Sequence, residues 1–124
     1  MKFVQTDKAP SAIGPYSQAV IANGIVYTSG QIALMPNGIM CENDVVIQTK
    51  QVLKNLKAIL EEAGSSMDKV IKTTIFIDSM DDFSIVNEIY EKVFALHKPA
   101  RATVAVKTLP KNALVEIDAI ALVY

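Results

Sequence analysis

The stretch HKPARATVAVKTLP, residues 97 to 110, opens as a turn and continues as a strand that is apolar on nearly every second position. Arg101 stands at the head of that strand, an odd place for a guanidinium. Arg101, Thr103, Ala105 and Lys107 share one strand face, and Ala102, Val104 and Val106 share the other. Glu116 and Asp118 fall on one face of the strand that follows, and a hairpin centred near Pro110 sets the two strands side by side, antiparallel. Two chemistries fit this pattern. In one, Arg101 and Glu116 form a structural ion pair, or each is simply solvated. In the other, Arg101 is a fork for a substrate carboxylate and Glu116 is a proton carrier beside it. The strand pattern alone leaves both open.

Other reactive residues are sparse. One Cys and one His, Cys41 and His97, cannot supply a soft or imidazole-rich metal cluster. Neither G-x-G-x-x-G nor a Walker pattern occurs, so no phosphate-cradling loop is expected. A Ser/His/Asp triad would have to use His97, which sits at a helix end beside Lys98 and reads better as a C-terminal cap favoured by the helix dipole. Cys41 lies in a loop without a neighbouring Lys, Arg or His to lower its pKa, so it does not read as a nucleophile. Met35, Met40, Met67 and Met80 sit near element ends and read as gap fillers.

These residues belong to a chain of 124 residues, the size of one domain spanning 1–124. The hydrophobic fraction is 51% and the mean hydropathy is +0.29. No apolar run approaches the ~20 residues of a membrane helix, so the excess apolar surface points to a subunit interface. MKFVQTDKAPS lacks the apolar segment of a secretory signal, and a lone cysteine suits a reducing compartment; a cytoplasmic protein without membrane partners is expected. Twelve basic residues against thirteen acidic give a net charge of -1 without any basic run, which argues against nucleic acid as a partner.

The elements that must position the candidate residues are legible in outline. YSQAVIANGIVYTSG (16 to 30) reads as a hairpin around Asn23-Gly24, and a second Asn-Gly at 37 and 38 marks another turn. Residues 43 to 64 have helical periodicity, with Val45, Val52, Leu53, Leu56, Ile59, Leu60 and Ala63 on one face, Asn43 or Asp44 as cap and Gly64 as stop. KVIKTTIFI (69 to 77) reads as a strand with Ile71, Thr73, Ile75 and Ile77 on one face. Residues 79 to 97 form a second amphipathic helix with Phe83, Val86, Ile89, Tyr90, Val93 and Phe94 inward. Strands at 101 to 107 and 114 to 123 complete an order β-β-(β)-α-β-α-β-β: an α+β domain, a mixed sheet with both helices on one face. Residues 114 to 123 are largely apolar on both faces, so the face without helices is expected to pack on a second copy of the chain.

Five strings in one register, IGPYSQAV (13 to 20), YTSGQIA (27 to 33), AGSSMDKVIKTTIFI (63 to 77), FSIVNEIYEKVF (83 to 94) and PARATVAVKTLPKNALVEIDAIA (99 to 121), together resemble the RidA (YjgF) family of reactive-intermediate deaminases. The resemblance implies a chorismate-mutase-like fold assembled as a homotrimer, with ligand clefts between subunits and no metal or organic cofactor. It implies hydrolysis of 2-imino acids, formed from enamines such as 2-aminoacrylate, to 2-keto acids and ammonia. Arg101 matches the arginine that grips the substrate carboxylate, and Glu116 the glutamate associated with the attacking water. Tyr16 matches a tyrosine lining the cleft, Ser29 and Gly30 its backbone-lined wall, and Asn87 an asparagine near the site.

Three positions depart from the family pattern. Arg101-Ala102-Thr103 stands where Arg-Ser-Cys is common, and the backbone N–H of Thr103 is still able to donate to a carboxylate. The connection ALHKPAR is shorter than in many members, and Ala33 replaces a usual proline. Besides the imine/enamine deaminase, a non-catalytic trimer sensing keto acids or similar carboxylates fits Arg101, but only an enzyme needs Glu116 to move a proton. Endoribonuclease or translation-inhibitor activity, known for relatives of the family, is disfavoured by the charge balance.

Overall fold

The computed structural model describes residues 1–123. Strand β1 (Lys2–Val4) is followed by the hairpin β2 (Ala19–Ala22) and β3 (Ile25–Thr28), helix α1 (Val45–Glu62), strand β4 (Val70–Ile77), helix α2 (Phe83–Phe94) and strands β5 (Ala100–Ala105) and β6 (Val115–Leu122). They form one six-stranded mixed sheet in the order β1-β2-β3-β6-β4-β5. The expected hairpin turn is present: Asn23 and Gly24 both take positive φ, 52° and 75°, as a type I′ turn requires. Asp44 caps α1 by accepting from the Ile47 N–H. Strand β1 was not legible in the sequence, because three residues pairing with β2 carry no period of their own.

The sheet order corrects the expected pairing of the last two strands. β5 and β6 are not neighbours; β4 lies between them, parallel to β5 and antiparallel to β6. The reason is the end of β4. The Val106 N–H donates to the Ile77 carbonyl on one side, and the Asp78 N–H donates to the Leu114 carbonyl on the other. The intervening residues loop around that end through a 3-10 turn at Pro110–Asn112, with Lys111 and Asn112 at φ 56° and 54°. α2 then serves as the crossover between parallel β4 and β5. β6, largely apolar on both faces, takes a central place in the sheet.

One face of the sheet carries both helices. Val26, Ile75, Ile77, Val115, Ile117, Ala119 and Ala121 pack there in one cluster with Val52, Leu53, Leu56, Ile59 and Leu60 of α1 and Val86, Ile89, Tyr90 and Phe94 of α2. Burying each such Leu or Ile contributes roughly 1.5–3 kcal/mol. Two positions differ from the expected pattern. A bulge between Val70 and Lys72 puts Val70 on the core face and leaves Ile71 exposed. Val93 is exposed as well, on the flank of α2 that also carries Ile85 and Lys92; α2 itself is shorter than expected and is preceded by a 3-10 turn at Met80–Asp82.

The other face presents Val20, Tyr27, Ile120, Leu122, Phe76 and Val104 with Glu116 and Asp118, by the registers of β2, β3, β6, β4 and β5. No described element covers it, and Tyr27 and Val104 are each 46% exposed. Edge strand β5 is exposed along almost its whole length. Since Val106 turns its amide towards β4, alternation turns the amides of Arg101, Thr103 and Ala105 to the open edge. No helix among the described residues is long and apolar enough to cross a membrane.

Candidate functional site

Arg101 pairs with Thr73 in the parallel β4–β5 register, and Thr73 is buried on the helix-bearing face. Arg101 therefore emerges on that face, at the edge, beneath α2. Residues 83, 87 and 90 lie on one side of α2 by helical periodicity, and all of them meet the guanidinium. Nη1 donates to Asn87 Oδ1 at 2.7 Å. Cζ lies 5.0 Å from the Tyr90 ring centroid and 5.8 Å from that of Phe83. The Tyr90 hydroxyl is in turn hydrogen-bonded to Thr73 Oγ1 at 2.7 Å. Burial pushes the Tyr90 phenol above its ordinary pKa, opposed by the Thr73 bond and by the Arg101 charge.

Thr103 follows on the same face, with its hydroxyl buried and without a hydrogen-bond partner. Asn87, Tyr90, Phe94, Leu96, Pro99 and Arg101 line a concavity of about 590 Å³. Its outer wall is the turn after α2, where Ala95 takes φ 55°. His97 does not cap the helix with its ring, as expected; His97 Nε2 bonds the Val70 carbonyl at 2.6 Å. The β-bulge at Val70 offers that carbonyl, and the bond ties the turn to the start of β4.

Glu116 lies elsewhere. It pairs with Phe76 and projects from the face opposite the helices, so it is not beside Arg101 within one chain. Its carboxylate rests against Gly30: a Cβ there would come within 2.5 Å of Glu116 Oε2. The approach is held by a reciprocal backbone bridge, Gln31 N–H to Ile117 carbonyl at 2.9 Å and Ile117 N–H to Gln31 carbonyl at 3.1 Å. Burial, and then the nearby Asp118 charge, raise the Glu116 pKa above the usual carboxylate range. Asp118 is also raised by burial, against hydrogen bonds from Thr74 and the Lys72 charge.

Tyr16, Gly30, Ile32, Lys111 and Glu116 line this second concavity, of about 310 Å³. Ser29 supports its wall: its hydroxyl donates to the Ser17 carbonyl at 2.6 Å and its N–H to the Gln18 carbonyl at 2.9 Å. Sequence reasoning missed two buried amides that build the same wall. Gln18 accepts from the Thr6 N–H at 2.7 Å and donates to the Pro10 carbonyl at 2.9 Å. Asn55 Nδ2 donates to the Leu34 carbonyl at 2.8 Å. Asn55 carried a usable signal, an amide within the apolar face of α1.

The candidate residues thus divide into two groups. Arg101, Asn87 and Thr103 gather under α2, while Glu116, Gly30, Tyr16 and Ser29 gather at the opposite face. Among the described residues, no group of three or more His, Cys, Asp or Glu could hold a metal ion.

Known proteins share this architecture. Residues 6–123 match the family described as Endoribonuclease L-PSP. A RutC family protein of Synechocystis is 52% identical over 124 residues, covering 98% of this chain and 95% of that one. A Mus musculus protein named 2-iminobutanoate/2-iminopropanoate deaminase is 49% identical over 121 residues, 97% of this chain and 90% of its own. The crystal structure of E. coli TdcF with bound serine has a TM-score of 0.94 at 42% identity, covering 100% of both chains. Fold and matches define the class, an α+β protein with a six-stranded mixed sheet and two helices. The chain belongs to the RidA/YjgF family.

Proposed function

We propose that the protein hydrolyses 2-imino acids, formed from enamines such as 2-aminoacrylate, to 2-keto acids and ammonia, in clefts between the subunits of a homotrimer. The observation that carries this reading is the separation of its polar groups. Arg101 is exposed under α2 of one chain, and the raised-pKa carboxyl of Glu116 faces away on the other side of the sheet. A second copy packed on the apolar open face and the β5 edge would bring one chain's Glu116 group towards another's Arg101 group. The 49% identity to a protein named as an imine deaminase supports the same chemistry.

Each group then has a role. Arg101, tethered at one N–H by Asn87, grips the substrate carboxylate, and the edge-facing N–H of Thr103 donates to it as well. Tyr16, Ser29 and Gly30 form the wall on the Glu116 side. The Glu116 carboxylate takes a proton from water as the water oxygen bonds the imine carbon, giving a carbinolamine. It returns that proton to the nitrogen; the carbinolamine hydroxyl then gives its proton to the freed Glu116 carboxylate as the carbonyl forms, the C–N bond breaks and ammonia leaves. A carboxyl with a raised pKa suits both transfers. A protonated imine is already a good electrophile, so orientation, water and proton movement suffice, without a metal or organic cofactor.

The test is to generate 2-aminoacrylate in place with a serine or threonine dehydratase and measure keto-acid release with and without the protein. Faster release supports the deaminase. Unchanged release, with 2-ketobutyrate still bound, would replace it with a carboxylate-sensing protein.

A further inference from the structure

Arg101 is the least constrained kind of side chain to entrust with orienting a small molecule. It is long, it is exposed, and it stands on an edge strand. Its one hydrogen bond, to Asn87, fixes a single N–H. Two rings lie against the guanidinium, Phe83 with its centroid 5.8 Å from Cζ and Tyr90 closer. The Tyr90 ring centroid is 5.0 Å from Cζ, and that ring is itself held at two places. Its hydroxyl bonds the buried Thr73 Oγ1 at 2.7 Å, and the ring packs on Phe94, with ring centroids 4.5 Å apart and planes tilted by 37°. Thr73 is also the residue opposite Arg101 in the β4–β5 pairing. The contacts therefore close a circuit: Arg101 to Thr73 through the sheet, Thr73 to Tyr90 through the hydroxyl bond, Tyr90 back to the guanidinium through the ring face.

We propose that Tyr90, locked by Thr73, is a positioning residue that sets the orientation of the Arg101 guanidinium and so gives the site its selectivity for carboxylates over neutral analogues. This inference rests on the reading of Arg101 as the carboxylate fork. Tyr90 is 7% exposed, at the floor of the Arg101 concavity, and acts on the ligand through Arg101. A lysine ammonium would need no such seat, because it is a point charge; a planar fork works only when its plane is set. The raised pKa of the phenol keeps the hydroxyl protonated, so the bond to Thr73 persists across the neutral range.

The experiment compares binding of 2-ketobutyrate with that of its neutral amide, 2-oxobutanamide, by calorimetric titration. The proteins are the native one, Arg101→Ala, Tyr90→Phe, Thr73→Val, their double variant and Tyr90→Leu. The ratio of the two affinities is insensitive to the fraction of folded protein, so a merely structural role would leave it unchanged. Removing the ring in Tyr90→Leu should lower the ratio by roughly 3- to 30-fold, the range of a cation–π contact from exposed to desolvated. Tyr90→Phe and Thr73→Val should each lower it less, and the double variant should equal either single one, since both break the same bond. If Arg101→Ala loses the selectivity while every Tyr90 and Thr73 variant keeps the native ratio, the positioning role is wrong and the carboxylate fork stands. If Arg101→Ala keeps the native ratio, the fork reading fails and this inference fails with it.

Discussion

Gly30 stands where the Glu116 carboxylate needs room, because a Cβ at position 30 would lie 2.5 Å from Oε2 and 2.9 Å from Cδ. The constraint is steric and local, since the Gln31–Ile117 bridge fixes the two backbones at this separation. Gly30→Ala should push the carboxylate out of its place. The clash meets the far end of a flexible side chain, so the loss of thermal stability should be small and the loss of turnover large. The double variant Gly30→Ala/Glu116→Gln should be no slower than Glu116→Gln alone. A Gly30→Ala protein with native turnover would show that the resting position of Glu116 is unimportant.

Glu116→Gln should keep 2-ketobutyrate binding and lose turnover by roughly 10²–10⁴-fold, the usual worth of a general acid-base group. Steady-state rates in the coupled imine assay check this, and native turnover would demote Glu116 to a structural residue.

The same variant has a pH signature in stability. The Glu116 pKa is raised in the folded chain, chiefly by burial and then by Asp118. The folded state therefore holds the proton more tightly than the unfolded state. Stability from this group is full below the ordinary carboxyl range and is lost as pH rises through the raised value. Glu116→Gln, which stays neutral, should melt higher than the native protein at neutral pH. That advantage should shrink towards zero as the pH falls below the ordinary carboxyl range. Melting curves across that range check the sign; a constant difference would mean that the shift is absent.

Thr103 tests what remains where the family commonly has a thiol. Its hydroxyl is buried and unpartnered, a state that costs about 1–3 kcal/mol. Its edge-facing N–H is untouched by side-chain changes. Thr103→Ser and Thr103→Cys should retain activity, and Thr103→Val should retain it while melting higher. A loss of activity in Thr103→Val would show that the hydroxyl takes part in binding.

Much of this architecture could be read from periodicity. The hairpin at Asn23-Gly24, the face of α1 and the β-branched run of β4 are local patterns, and the structure keeps them. Strand order is not local. Nothing in residues 106 to 114 announces that the chain passes around the end of β4, so Arg101 and Glu116 looked adjacent although they lie on opposite faces. The bulge at Val70 and the His97 ring bond to its carbonyl escaped for the same reason: each depends on what a neighbouring strand does. The types of the candidate residues were legible, whereas their division into two groups required the sheet. The uncovered face of β6, by contrast, was visible because both sides of the strand are largely apolar, with Glu116 and Asp118 as the exceptions.

A homotrimer is expected because the open face is largely apolar and the resemblance to the RidA family implies that state. Light scattering coupled to size exclusion at micromolar concentration should give about three chains per particle, in line with closed cyclic assemblies. A clean monomer would contradict the assembly and the intersubunit site together.

Arg101→Ala should lose keto-acid binding and turnover together while the assembly survives, and Arg101→Lys should recover only part of the affinity because lysine lacks the fork. The most direct measurement uses this variant together with Glu116→Gln. If each cleft takes Arg101 from one subunit and Glu116 from another, the two inactive proteins can complement each other. Unfolded together in equal amounts and refolded, they should recover about a quarter of the native activity, the fraction of clefts that draw both intact residues in a randomly mixed cyclic trimer. Activity no higher than the sum of the two separate variants would contradict the account, because it would show that no cleft is shared between chains.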